Sequence, residues 1–314
     1  MKKIALNIAS VLIIIALFYF LGREFLKNWS QIRSFPLHFD LLWLFWATAA
    51  YFITFFLLSI GWTLILKSLH YPISLTHAFL FFIITQPAKY IPGKIWIAVA
   101  RMKFMHPLGI PNSVTLLSTG AEGVLEILAG SYISLVAILQ IPGLGKFSVI
   151  GTIIISLLGV VLLIPKVFYA IINLYLKLAK REPIHATGHA KFAELLFLQI
   201  VYLIGMFGVG LAQVLFLKSF THVSPHQFPL LISIGSFSYV ASILAIFTPG
   251  GLGVREGIWY LALKGISAPH IAIIFALASR IWTVVAEALF LFIALPILWL
   301  EKRRNKKSLP HSPL

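Results

Sequence analysis

Thr248-Pro249-Gly250-Gly251-Leu252-Gly253-Val254-Arg255-Glu256-Gly257 interrupts an otherwise apolar stretch, residues 228–263. Proline cannot donate to a helical ladder and clashes with the preceding turn, while glycine permits backbone conformations that other residues avoid. An apolar helix therefore stops at Pro249 and restarts near Val254. Non-helical backbone at membrane depth is tolerated only where it is buried in protein or lines a wet cavity. The stretch thus reads as a broken or re-entrant membrane helix whose break is a candidate site, with Thr248, Pro249, Gly250, Gly251 and Gly253 as its hinge.

A matching break lies earlier in the chain. Ile91-Pro92-Gly93-Lys94 interrupts residues 75–104, with Pro92 and Gly93 as the hinge. The flanking sequence matches too. Leu66-Lys67-Ser68-Leu69, Ile73-Ser74, His77 and Phe79 return as Leu217-Lys218-Ser219-Phe220, Val223-Ser224, His226 and Phe228. Beyond each break comes Gly-Ile and a proline, Gly109-Ile110-Pro111 and Gly265-Ile266-Ser267-Ala268-Pro269. The paired positions stand 149 to 157 residues apart in a chain of 314. Repeated apolar units interrupted at corresponding places are the mark of a transport-type membrane fold, with the site where the helices break.

Composition agrees with that class. The chain is 60% hydrophobic and only 11% charged. A span needs roughly 20 mostly apolar residues, and six stretches qualify: 4–21, 41–66, 114–141, 147–163, 192–217 and 271–300. The first is an uncleaved span, because Gly22-Arg23-Glu24-Phe25 is a poor signal-peptide cleavage site. The expected fold is all-α and polytopic, with about six full spans and two broken helices in one membrane domain. Repeat 1 covers about 4–141, repeat 2 about 147–300, and 301–314 form a basic cytoplasmic tail. An odd number of crossings per repeat inverts the second copy.

Lysine and arginine placement sets the orientation. With the N-terminus in the cytoplasm, Lys2, Lys3, Lys67, Lys89, Lys94, Arg101, Lys103, Lys177, Lys180, Arg181, Lys191 and 302–307 fall inside. Arg23, Lys27, Arg33, Lys146 and Lys218 fall outside. That asymmetry follows the positive-inside rule. Both termini are then cytoplasmic in a plasma (inner) membrane, and topology accounts for the net charge of +16 without nucleic acid.

Ionisable residues within the apolar segments carry the functional signal. Glu122 and Glu126 are four apart on one helix face, and Arg280 and Glu287 are seven apart on another. Arg255 and Glu256 follow the second break, and Lys89, Lys94 and Arg101 bracket the first. Each charge at the bilayer centre costs roughly 2.5–3.5 kcal/mol. Left unpaired they would cost on the order of 20 kcal/mol, so they must converge on each other or on a hydrated cavity. Glu122 and Glu126 are like-charged on adjacent turns; one is either protonated or faces a cation such as Arg280. A helix restarting near Val254 would also offer free N–H groups beside Arg255, an anion-binding arrangement. The predicted substrate-binding set is Lys94, Arg101, Glu122, Glu126, Arg255, Glu256, Arg280 and Glu287.

These motifs together resemble a known family. Pro92-Gly93-Lys94 with Ala100-Arg101, the Glu122-x-x-x-Glu126 helix, the 248–257 run and Arg280 are similar to the transmembrane region of lysylphosphatidylglycerol synthetases. The likeness spans essentially the whole chain, and the 248–257 run is its most specific part. It implies a stand-alone flippase-like region that handles lipid, without the soluble aminoacyl-transfer domain. Many relatives carry arginine after the first glutamate; here that position is Gly123, whose repeat partner is Arg280.

The resulting expectation is translocation of an anionic phospholipid or lipid-linked intermediate, with no enzymatic activity, cofactor or metal. A lipid-modifying enzyme is a possible partner. Two other classes compete: an accessory subunit of a lipid-modifying or glycosylating complex, and a polyprenyl-phosphate glycosyltransferase. The last would need an outward acidic residue. Asp40, the single aspartate, lies near there but reads as the cap of the helix beginning at Leu41. No cysteine is present, and His185 and His189 lack supporting acids, so metal and thiol chemistry find no motif.

Overall fold

The computed structural model describes residues 19, 22–23, 25–91, 95–139, 150, 154, 157, 159, 161, 164–178, 192–245 and 248–307. Among these, all regular structure is helical. The elements run α1 (Trp29–Ser34), α2 (Leu41–Ser68), α3 (Leu75–Thr85), α4 (Trp96–Met105), α5 (Asn112–Leu139), α6 (Pro165–Leu178), α7 (Phe192–Lys218), α8 (Phe228–Leu244), α9 (Val254–Lys264) and α10 (Pro269–Lys307). Short 3-10 turns cover Gln86–Tyr90, Pro225–Gln227 and Pro249–Gly251. The expected spans at 4–21 and 147–163, the separate loops carrying Lys146 and Lys180, and the break residues Pro92, Gly93 and Lys94 lie wholly or largely outside the described residues.

Among the described residues, four helical stretches are long and apolar enough to cross a membrane: Leu41–Ser68, Phe192–Lys218, Pro225–Leu244 and Pro269–Leu300. The third differs from the sequence reading, which treats it as one arm of a broken element. At 20 residues this arm alone is long enough to traverse the hydrocarbon core. The chain is an integral, all-helical membrane protein.

Local sequence explains the helix ends. Asp40 caps α2 as expected, its carboxylate accepting from Leu42 N–H at 2.8 Å and Trp43 N–H at 3.4 Å. Ser74 caps α3 by accepting from His77 N–H at 3.2 Å. Between α8 and α9 the backbone turns through Gly250 (φ 58), Gly251 (φ 72) and Gly253 (φ 83). These left-handed conformations favour glycine. A Cβ at Gly250 would also lie 2.8 Å from the Tyr90 ring.

α2 and α7 form the central pair and run antiparallel. Tyr202 packs on Gly61, Leu58 on Gly205 and Thr54 on Gly208, so residue numbers rise on one helix as they fall on the other. Asp40 N–H donates to Ser219 O at 2.6 Å at the same end. Small residues allow this close approach, the usual device where lipid supplies no hydrophobic drive for helix pairing. Other contacts join the two parts of the chain: α3 packs on α10, and α8 packs on α5. The turn at Gln86–Tyr90 meets the turn at Pro249–Gly251. These two turns thereby border one interior space.

Candidate functional site

That space is a cavity of about 210 Å³ lined by Lys89, Tyr90, Arg101, Thr119, Glu122, Gly123, Glu126, Tyr239, Gly250, Arg255, Arg280 and Glu287, among others. Six of the eight residues expected at the site line it directly. Glu256 joins it through Arg280, and Lys94 lies outside the described residues. Charges scattered over 186 positions of sequence, from Arg101 to Glu287, thus converge on one polar volume.

Arg101 on α4 is completely buried. Its two terminal nitrogens meet both carboxylate oxygens of Glu122, the Nη2–Oε1 contact measuring 3.1 Å. The guanidinium lies 4.2 Å from the Trp62 ring centre and 5.1 Å from that of Phe82. A bidentate pair flanked by aromatic rings is a rigid arrangement suited to arginine. Here the structure corrects one expectation. The partner of Glu122 is Arg101, one element earlier in its own half, rather than Arg280.

Arg280 instead spans the second break. Its Nη1 donates to Gly250 O at 3.0 Å, and its Nε lies 3.7 Å from Glu256. The Tyr90 ring lies 5.1 Å from the guanidinium. Glu256 in turn accepts from Gly253 N–H at 2.7 Å. That is a second correction. α9 does restart at Val254, but the chain's own carboxylate sits at its N-terminus, so this helix end is not an open anion seat.

Glu287 on α10 is the hub between the two breaks. It accepts from Lys89 Nζ at 2.5 Å, Tyr51 Oη at 2.7 Å and Tyr90 Oη at 3.0 Å. Lys89, noted in the sequence only as bracketing the first break, carries a principal ion pair. Tyr51 and Tyr239 carry no site signal in the sequence, and Tyr90 stands out only as the residue that opens the first break. Their hydroxyls belong to aromatic residues that in an apolar sequence look like ordinary core.

Two cavity residues stand apart from these pairs. Arg255 is buried and makes no hydrogen bond or salt bridge to a described residue; its Nη2 is a buried donor with no acceptor. Glu126 lines the cavity at 7% exposure and likewise has no ion-pair or hydrogen-bond partner among the described residues. Among the described residues no cluster of His, Asp and Glu has the makings of a metal site.

A polytopic helical fold with two broken helices around a charged interior cavity defines an integral membrane protein with a polar interior. Family comparison narrows the class. The model of the lysylphosphatidylglycerol synthase TM region matches residues 7–298, and the chain belongs to that family. No curated protein matches the chain.

Proposed function

We propose that the chain moves an anionic phospholipid, or a lipid-linked intermediate, between leaflets by drawing its headgroup through this cavity. The observation that carries the reading is Arg255: a buried guanidinium, aimed into a polar cavity, with one terminal nitrogen lacking an acceptor. Such a group suits a phosphate oxygen. The volume of about 210 Å³ lies below the ~300–1,000 Å³ of typical small-molecule pockets. It fits a headgroup, with acyl chains left in the bilayer. Ile91, Ile95, Trp96 and Val99, exposed along the first break, supply an apolar flank for those chains. Membership of a lipid-linked family supports the same reading.

Two inverted repeats underlie the mechanism we infer. The antiparallel α2–α7 pair, the matching breaks and the reciprocal packing of α3 on α10 and α8 on α5 all support it. Lys67 and Lys218, which match in the two copies, then lie at opposite membrane faces. The Lys/Arg asymmetry supports cytoplasmic termini. A cysteine placed at Lys146 of this cysteine-free chain should react with an impermeant reagent from outside, and one at Lys180 should not. Reversed labelling would remove this orientation. The Asp40 carboxylate is engaged at the α2 cap, as the helix-cap reading expects.

The decisive test is Arg255→Gln in proteoliposomes containing an acyl-labelled phosphatidylglycerol. Translocation should be abolished while the melting temperature in detergent stays near wild type, because Arg255 has no charged partner among the described residues to strand. Unchanged translocation would refute the assignment.

A further inference from the structure

Glycines within the described helices fall into two kinds. At Gly61, Gly130, Gly205, Gly208, Gly210 and Gly235 a Cβ would come within 2.3 to 2.8 Å of a neighbouring helix, so packing demands their smallness. At Gly123 and Gly257 a Cβ would meet no heavy atom of a described residue within 4 Å. Neither has a positive φ. Glycine inside a helix is destabilising relative to alanine, and for these two the protein's own packing gives no reason for it. Gly257 does not line the cavity; Gly123 does.

Gly123 sits on the face of α5 that forms one cavity wall, with Thr119, Glu122 and Glu126. Glu122 is occupied by Arg101. Glu126, one turn beyond Gly123, is 93% buried, faces the cavity and has no partner among the described residues. The charged groups around it from other elements are committed elsewhere: Arg101 to Glu122, and Lys89 to Glu287. A carboxylate accepts hydrogen bonds and, when ionised, donates none. The wall therefore combines free space with an acceptor, on a different element from Arg255.

Resting on the lipid-translocation reading, we propose that Gly123 and Glu126 form a subsite for the distal, hydrogen-bond-donating end of the headgroup. The missing side chain at 123 sets the size admitted, and the Glu126 carboxylate receives an O–H or N–H donor. The shared chemistry is a donor beyond the phosphate, either a hydroxyl or an ammonium.

A size series tests it. The protein is reconstituted in vesicles of phosphatidylethanolamine and phosphatidylglycerol, with either lipid acyl-labelled as tracer. Gly123→Ala should slow translocation modestly and Gly123→Leu by roughly tenfold or more, both without loss of melting temperature. Gly257→Ala is the control: it should gain the same helical stability and keep the wild-type rate. Gly123→Leu at the wild-type rate overturns the size role. Glu126→Gln separates the donors. Selective slowing of phosphatidylethanolamine identifies an ammonium, and selective slowing of phosphatidylglycerol identifies a hydroxyl. No slowing, or equal slowing of both, overturns the carboxylate's role.

If wild-type protein moves neither lipid, translocation fails as a function while the subsite remains testable. Native mass spectrometry of retained phosphatidylethanolamine and phosphatidylglycerol should then show less lipid on Gly123→Leu than on wild type. Equal retention would overturn the subsite.

Discussion

The Arg101–Glu122 pair and the group around Arg255, Arg280 and Glu256 border the same cavity, yet they hold their arginines differently. Arg101 is fully buried, doubly hydrogen-bonded to one carboxylate and flanked by Trp62 and Phe82. Arg280 reaches a backbone carbonyl and keeps its carboxylate at 3.7 Å, and Arg255 holds no acid among the described residues. The first arrangement satisfies a charge within the protein. The second leaves cationic capacity in a polar space. Intramembrane charges are not of one kind, and the saturation of each arginine separates staple from site.

The largest effect should come from the staple. Arg101→Gln leaves the buried Glu122 carboxylate without its bidentate partner, at a cost of up to about 3–5 kcal/mol. The variant should melt well below wild type in detergent and accumulate poorly in membranes. Arg101→Gln combined with Glu122→Gln should recover part of that loss, because no uncompensated charge remains. A stable Arg101→Gln alongside an unstable Arg255→Gln would invert the comparison.

The break itself should give an intermediate effect. Gly250→Ala forces a side chain into a left-handed conformation (φ 58) and toward a contact 2.8 Å from the Tyr90 ring. Backbone strain of this sort costs about 1–3 kcal/mol. Displacing Tyr90 also disturbs its contact with Arg280, so translocation should fall further than the melting temperature implies. An unaffected rate would mean that the two breaks need not meet for function.

Much of this arrangement was legible in the chain. Pro249-Gly250-Gly251 breaks a helix by covalent geometry alone, and repetition of its surroundings located the second break. The cost of membrane charge required Arg101, Glu122, Glu126, Arg255, Arg280 and Glu287 to converge, and all six line one cavity. The pairing was not legible. Glu122 could face Arg101 or Arg280 with equal sense in one dimension, and only the packing of α4 on α5 decides for Arg101. The hydroxyls of Tyr51 and Tyr90 were hidden for a similar reason. Hydropathy counts a tyrosine ring as core and is silent on where its hydroxyl ends. In the sequence Gly123 marks only a missing cation, whereas among the described residues it has open space beside an acid with no partner.

The smallest effects concern the Glu287 hub, where the three donors differ in burial. Tyr51 is a buried core residue and donates at 2.7 Å; Tyr90 is half-buried and donates at 3.0 Å. Tyr51→Phe removes a hydrogen bond to a carboxylate at a place closed to water, and should cost about 1.5 kcal/mol. Tyr90→Phe removes a longer bond at the cavity wall, where water can replace the hydroxyl, so its cost should stay below about 1 kcal/mol. The ring under Arg280 survives in that variant, and translocation should remain near wild type. Melting curves for the two variants, run beside the lipid assay, give the test. Equal destabilisation would show that the wall at Tyr90 is as dry as the core at Tyr51. The cavity would then be closed to water on that side, and the headgroup would have to enter from the face of Gly123 and Glu126.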